Sequence, residues 1–146
     1  MYELFFKAKH KKISKHEMHS KRHRFHLLAL FSPTVIFLIL YFLTDLNPIY
    51  SSIISLFVGG VAVILCRPDL KNKVLAGGFL FLGIYFIFFF LLNLIFPGWV
   101  ERIWNLPKIS GILFLGIPIE ELLFAFSAGL MWSSIYEHVK WYKLKS

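Results

Sequence analysis

Two adjacent carboxylates, Glu120 and Glu121, stand in an otherwise uncharged run, GILFLGIPIEELLFAFSAGLMWSSIY, over residues 111–136. Read as one continuous helix, the run places the pair nine and ten residues from its start, roughly 14 Å in at about 1.5 Å per residue. That depth is near the middle of a bilayer, where a charged side chain costs about 2.5–3.5 kcal/mol on insertion scales. Two neighbouring carboxylates there should not both stay ionised, because they repel each other and neither is well solvated. At least one then keeps its proton, and a carboxylic acid in a water-poor pocket is a strong donor to a weak base. General acid, proton relay and ion site all fit this pattern. The structural alternative is an interhelical hydrogen bond that holds a bundle together.

Other residues gather around the pair. Pro118 precedes it; inside a helix this proline would free the carbonyl of Phe114 and open a kink beside the acids. Tyr85 lies eleven residues before Phe96 in the preceding apolar run, which matches the acids in depth; its hydroxyl could orient one carboxyl or stay inert at a helix interface. Phe124 and Ser127 follow on the faces of the acids. Phe86 and Phe89 coat the facing helix, and aromatic faces attract cations. Glu120, Glu121, Pro118 and Tyr85 are therefore the catalytic candidates, and Phe86, Phe89, Phe124 and Ser127 the expected substrate-binding walls.

The elements that must carry these residues are apolar runs. The chain has 146 residues, of which 58% are hydrophobic and only 16% charged, against about 25% charged in an ordinary soluble domain. Four runs, 27–43, 49–66, 74–96 and 111–136, are long enough or nearly so to cross a hydrocarbon core that needs roughly 17–25 residues. The expectation is an all-α bundle of four transmembrane helices spanning 27–141, with a short amphipathic interfacial helix near 98–106 anchored by tryptophan. Asp45-Leu46-Asn47-Pro48 reads as a tight turn, and Arg67-Pro68-Asp69 as the end of the second helix. Gly59, Gly60, Gly77, Gly78 and the Ala125-xxx-Gly129 pair would allow close helix contact, the last pair between subunits.

Charge sets the expected orientation. The tail 1–26, the 67–73 loop and the C-terminal tail hold fourteen Lys and Arg, and the 97–110 loop holds two. The positive-inside rule then makes both termini cytoplasmic in a multi-pass cell-membrane protein. The basic tail, which carries His10, His16, His19, His23 and His26, reads as a topology determinant or an anionic-lipid contact rather than a cleavable signal. Cys66, the single cysteine, excludes a disulfide framework or CxxC metal site. Nothing matches a flavin, nicotinamide or haem motif, a P-loop or HExxH. No cofactor, metal or nucleic acid is expected.

The stretch Gly116-Ile117-Pro118-Ile119-Glu120-Glu121-Leu122-Leu123-Phe124 resembles the Pro-x-Glu-Glu signature of the lycopene cyclase domain family, in its small prokaryotic, membrane-embedded, flavin-independent form. Arg67-Pro68-Asp69-Leu70, the run Phe96-Pro97-Gly98-Trp99-Val100-Glu101-Arg102-Ile103-Trp104-Asn105 and Tyr136-Glu137-His138 are similar to its members too, so the likeness covers about residues 30–141. The resemblance implies acid-catalysed ring closure of a linear carotene end group without net redox change. Glu120 and Glu121 would supply acid and base, and Pro118 would shape the site. Active members pair two such units, each with an acidic motif. One motif here implies a homo-oligomer or a heterodimer with a second cyclase-like unit, acting on an apolar polyene or isoprenoid in the lipid bilayer. The rival readings are a non-catalytic carotenoid or polyprenoid binder and a proton-coupled transporter or assembly factor.

Overall fold

The computed structural model describes residues 9–12, 26–133, 135–140 and 142–145. Most of the basic tail, with its histidines at 16, 19 and 23, lies outside the described residues. The protein is mostly helical. Helix α1 covers His26–Leu43, α2 Pro48–Cys66, α3 Lys71–Ile95, α4 Trp99–Ile103, α5 Ile119–Trp132 and α6 Ile135–Lys140; 3-10 turns occupy Pro68–Leu70 and Leu106–Lys108. Two short antiparallel pairs complete it: β1 (Lys9–Lys12) with β4 (Tyr142–Lys145), and β2 (Leu113–Phe114) with β3 (Ile117–Pro118). Strand β4 also packs against the Pro68–Leu70 turn.

The helix limits have local causes. Pro48 begins α2, where its missing N–H costs nothing, and the Asn47 side chain accepts from the Ile49 amide at 3.1 Å as the cap. Arg67 ends α2 in an extended conformation ahead of Pro68. Pro33 lies inside α1, and the carbonyl that it leaves without a donor, that of Ala29, accepts instead from Ser32 Oγ at 2.9 Å. Helix α2 and the Pro68–Ile95 stretch are long and apolar enough to cross a membrane, with mean hydropathy 2.3 and 2.5.

The four long helices pack in the order α1, α2, α5, α3. Small residues set the spacing. A Cβ on Gly60 would meet Leu130 Cβ at 2.8 Å, and one on Gly78 would meet Leu130 Cδ2 at 2.8 Å. A Cβ on Gly129 would strike the Gly77 carbonyl at 2.7 Å and Gly78 Cα at 2.9 Å. Ala125 and Gly129 are buried between α5 and its neighbours in the same chain, so the small-residue face expected to join two subunits is already occupied. One core cluster, Val63, Leu70, Val74, Leu130 and Met131, fills the end near the Pro68 turn. The other, Phe89, Ile117 and Leu122 with Tyr85, Trp99 and Trp104 packed against it, fills the end that carries the acids.

Three sequence expectations need correction. Residues 111–136 do not form one helix: 111–118 fold as the β2–β3 hairpin, and α5 begins only at Ile119. Pro118 is therefore the residue that caps α5, not a kink within it, and the acids occupy the first turn of a 14-residue helix, not its middle. The segment near 98–106 is helical only over Trp99–Ile103, and its tryptophans pack inward, Trp99 at 6.0 Å and Trp104 at 5.8 Å from Phe89 between ring centroids.

Candidate active site

The hairpin aims the acids. Leu115 and Gly116, at φ 51° and 78°, form its two-residue tip, the positive-φ pattern of a type I′ turn. Asn93 Nδ2 of α3 donates to the Gly116 carbonyl at 2.9 Å, and the Ile119 amide donates to the Ile112 carbonyl at 3.0 Å. These bonds fix where α5 starts, and with it the direction of its first-turn side chains.

Glu120 is 2% exposed and Glu121 8%. Their hydrogen bonds are unequal. Both oxygens of Glu121 accept: Oε2 from the Tyr85 hydroxyl at 2.6 Å and Oε1 from Trp104 Nε1 at 2.9 Å. On Glu120, Oε1 accepts from the Tyr50 hydroxyl at 2.9 Å and from the Ser110 amide at 2.8 Å. Its second oxygen, Oε2, is buried and has no hydrogen-bond partner. Neither acid is paired with a cation among the described residues. The helix dipole favours negative charge in this first turn, but two uncompensated buried anions side by side remain costly.

Both acids line a cavity of about 250 Å³, whose other walls are Asn47, Ile49, Ile103, Trp104, Asn105 and Ile109. The 97–110 loop covers it. Asn47 Nδ2 donates to the Lys108 carbonyl at 3.2 Å, so the residue that caps α2 also ties the loop down. Trp104 packs its ring on Trp99 at 5.2 Å and on Phe89. Phe89 in turn stacks on Tyr85 at 4.8 Å. The aromatic cluster thus holds both donors that reach Glu121.

A lycopene cyclase family profile matches residues 47–139, from the cap of α2 into α6. The chain belongs to the lycopene cyclase family. No curated protein and no solved structure matches it. Membership supports a cyclase-like function, and the matched stretch contains every residue of the site just described.

For a lycopene cyclase family member, the sequence-derived site is placed unevenly. Glu120, Glu121 and Tyr85 come together. Pro118 pairs with Leu113 in the hairpin and sets the start of α5. Phe124 lines a separate groove, and Phe89 is 4% exposed behind Tyr85 and Trp104. Phe86 packs on Phe90 and Phe114, and Ser127 is buried; neither lines the acid cavity. Sequence reasoning missed Tyr50, Trp104 and the Ser110 amide. Trp104 carried a signal, an indole N–H that needs a partner once buried; for Tyr50 and Ser110 nothing in the spacing tied them to residue 120.

Proposed function

We propose that this chain closes a ring at the end of a linear carotenoid by acid catalysis, with Glu120 as the proton donor and Glu121 as the anionic partner. The carrying observation is the unequal bonding of the pair: Glu121 has both oxygens filled by donors, while Glu120, which lines the same cavity, keeps a buried Oε2 without a hydrogen-bond partner. One proton shared by the pair then resides on Oε2.

The steps balance. The Glu120 Oε2–H bond breaks and the proton adds to the terminal double bond of the polyene, leaving a tertiary cation. The π electrons of a nearby double bond attack that cation, forming one carbon–carbon bond and closing the ring, with the positive charge now on a ring carbon. A proton leaves the adjacent carbon to the carboxylate pair, a ring double bond forms, and the pair holds one proton again. No electrons are exchanged with a cofactor. Glu121 lowers the energy of the cation by charge, and the Trp104 ring face by its quadrupole.

In this reading all four long helices lie in the membrane with both termini cytoplasmic, and the acids sit near the outer end of α2 and α5. A second cyclase-like unit, identical or not, packs outside the α5–α3 contact. At about 250 Å³ the cavity is smaller than the roughly 300–1,000 Å³ of a site enclosing a drug-sized ligand, which suits one end of a long molecule. The test is pigment analysis in cells that accumulate lycopene and express the chain, alone and with a candidate second unit. Cyclic product is expected for the wild type and should vanish in Glu120→Gln, which retains size and hydrogen bonding but not the acidic proton. Ring formation that survives Glu120→Gln would exclude the acid role.

A further inference from the structure

A second cavity, about 320 Å³, opens between α1 and α5 on the face of α2. Ser52, Ser55 and Leu56 form its floor, Pro33, Thr34 and Phe37 one wall, and Phe124 the other. The floor is less polar than its sequence suggests. Ser52 Oγ donates to the Pro48 carbonyl at 2.8 Å and Ser55 Oγ to the Ser52 carbonyl at 3.0 Å, so both hydroxyls are engaged by their own helix. Apart from Thr34, what remains lining the groove is mostly hydrocarbon, with Phe37 and Phe124 among it.

Helix periodicity joins this groove to the acids. Ile49 lines the acid cavity, and Ser52 and Leu56 follow it at spacings of three and four residues along α2. Glu120 and Glu121 line the acid cavity, and Phe124 lies one turn further along α5. Residues three and four apart stand on one face of a helix, one above the other, so the two cavities, though separate, follow one another along the same faces of α2 and α5. Beyond the groove α1, α2 and α5 close together at Gly59, where an added Cβ would strike Pro33 and come within 3.3 Å of Met131 Sδ. From Ile49 to Gly59 is ten residues, about 15 Å at 1.5 Å per residue.

We propose that this groove binds the hydrocarbon chain of the same substrate whose end group meets Glu120, leading the polyene from the bilayer along α2. The inference rests on the cyclase reading above and adds the subsite for the tail. It makes Thr34, Phe37, Ser55 and Phe124 determinants of substrate affinity, although none touches the reacting carbons.

The test uses the full-length chain in phosphatidylcholine nanodiscs with lycopene as the probe, in a Glu120→Gln background so that nothing is consumed. Thr34→Trp fills the groove from its exposed wall, and Ser55→Phe from its floor; Val35→Trp, on the exposed side of α1, is the control. Lycopene binding should weaken at least tenfold in Thr34→Trp and Ser55→Phe and stay unchanged in Val35→Trp. If Ser55→Phe does not fold, Thr34→Trp alone decides. With Glu120 intact, Thr34→Trp should raise KM and leave kcat in place. Equal lycopene binding in all variants, or displacement by Thr34→Trp of phospholipid rather than lycopene, would overturn the tail subsite while ring formation by the wild type keeps the cyclase reading standing. A wild type that neither retains lycopene nor yields cyclic product in cells overturns both.

Discussion

In the proposed mechanism single residues divide the work at the acid pair, and that division can be tested one atom at a time. Trp104 donates to Glu121 through Nε1 and also lines the cavity. Trp104→Phe retains an aromatic face and removes the N–H. A hydrogen bond to a charged group contributes about 1.5–3 kcal/mol, so turnover should fall about 10- to 100-fold; ring formation measured against time is the readout. Glu121→Gln should be as damaging as Glu120→Gln if anionic charge at 121 stabilises the cation, and nearly silent if Glu121 serves only to join Tyr85 and Trp104. At this scale the sequence was informative about residue type and poor about partners. A tandem Glu-Glu in an apolar run identifies itself. That Tyr50, seventy residues away, reaches Glu120 depends on α2 and α5 both starting at the same end of the bundle, which no local pattern states.

At the scale of elements, the fourth apolar run reads as one helix in sequence and folds as a hairpin followed by α5. The helix starts that carried polar signals were legible: Asn47-Pro48 for α2, and Arg67-Pro68-Asp69 for the break before α3. Over 111–118 every side chain but two glycines is apolar, and an uninterrupted apolar stretch does not distinguish helix from strand by periodicity. The informative residue was Pro118, because Ile117 before it avoids the helical region. Gly129 makes the matching point for packing. A GxxxG-like spacing shows that helices approach closely but not which helices, and here α5 closes on α3 of its own chain. Gly129→Leu should therefore break the internal α5–α3 contact, costing about 1–3 kcal/mol from overpacking. The expected result is a lower melting temperature in detergent with no change in oligomeric state; loss of a dimer at unchanged melting temperature would place Gly129 between subunits instead.

At the scale of the whole molecule the two ends differ in kind. The end opposite the acids is held by charge: Lys73 of α3 and Glu137 of α6 form a buried ion pair, 6% and 0% exposed at the side chain, and Arg67, 1% exposed, forks onto Asp69 at 2.7 and 2.9 Å. Breaking a buried pair at one side is costly, so Glu137→Gln should cost about 3–5 kcal/mol of stability, whereas replacing both with apolar residues of similar volume should cost far less; thermal unfolding of the single and double variants separates the two. The acid end is held by the hairpin and the 97–110 loop, and its geometry bears on how the chain meets the membrane. Helix α5 has 14 residues, about 21 Å, and falls short of a hydrocarbon core of about 30 Å. In the proposed four-span topology the hairpin would supply the missing length. Its backbone pairs internally across Leu113–Pro118 and Phe114–Ile117. Ile112, Phe114 and Leu115 are 61%, 53% and 60% exposed, an apolar tip that suits lipid and not water. With fourteen of the sixteen Lys and Arg in the two tails and the 67–73 loop of the sequence, the expected topology puts Lys108 outside, Leu115 within the bilayer, and both termini in the cytoplasm. Cysteines introduced singly at 108, 115 and 71 in a Cys66→Ser background check this with a membrane-impermeant maleimide. Residue 108 should label in intact cells, residue 71 only after permeabilisation, and residue 115 in neither case. Strong labelling of residue 115 from the outside would place the hairpin in water, and α5 would then be too short to span alone.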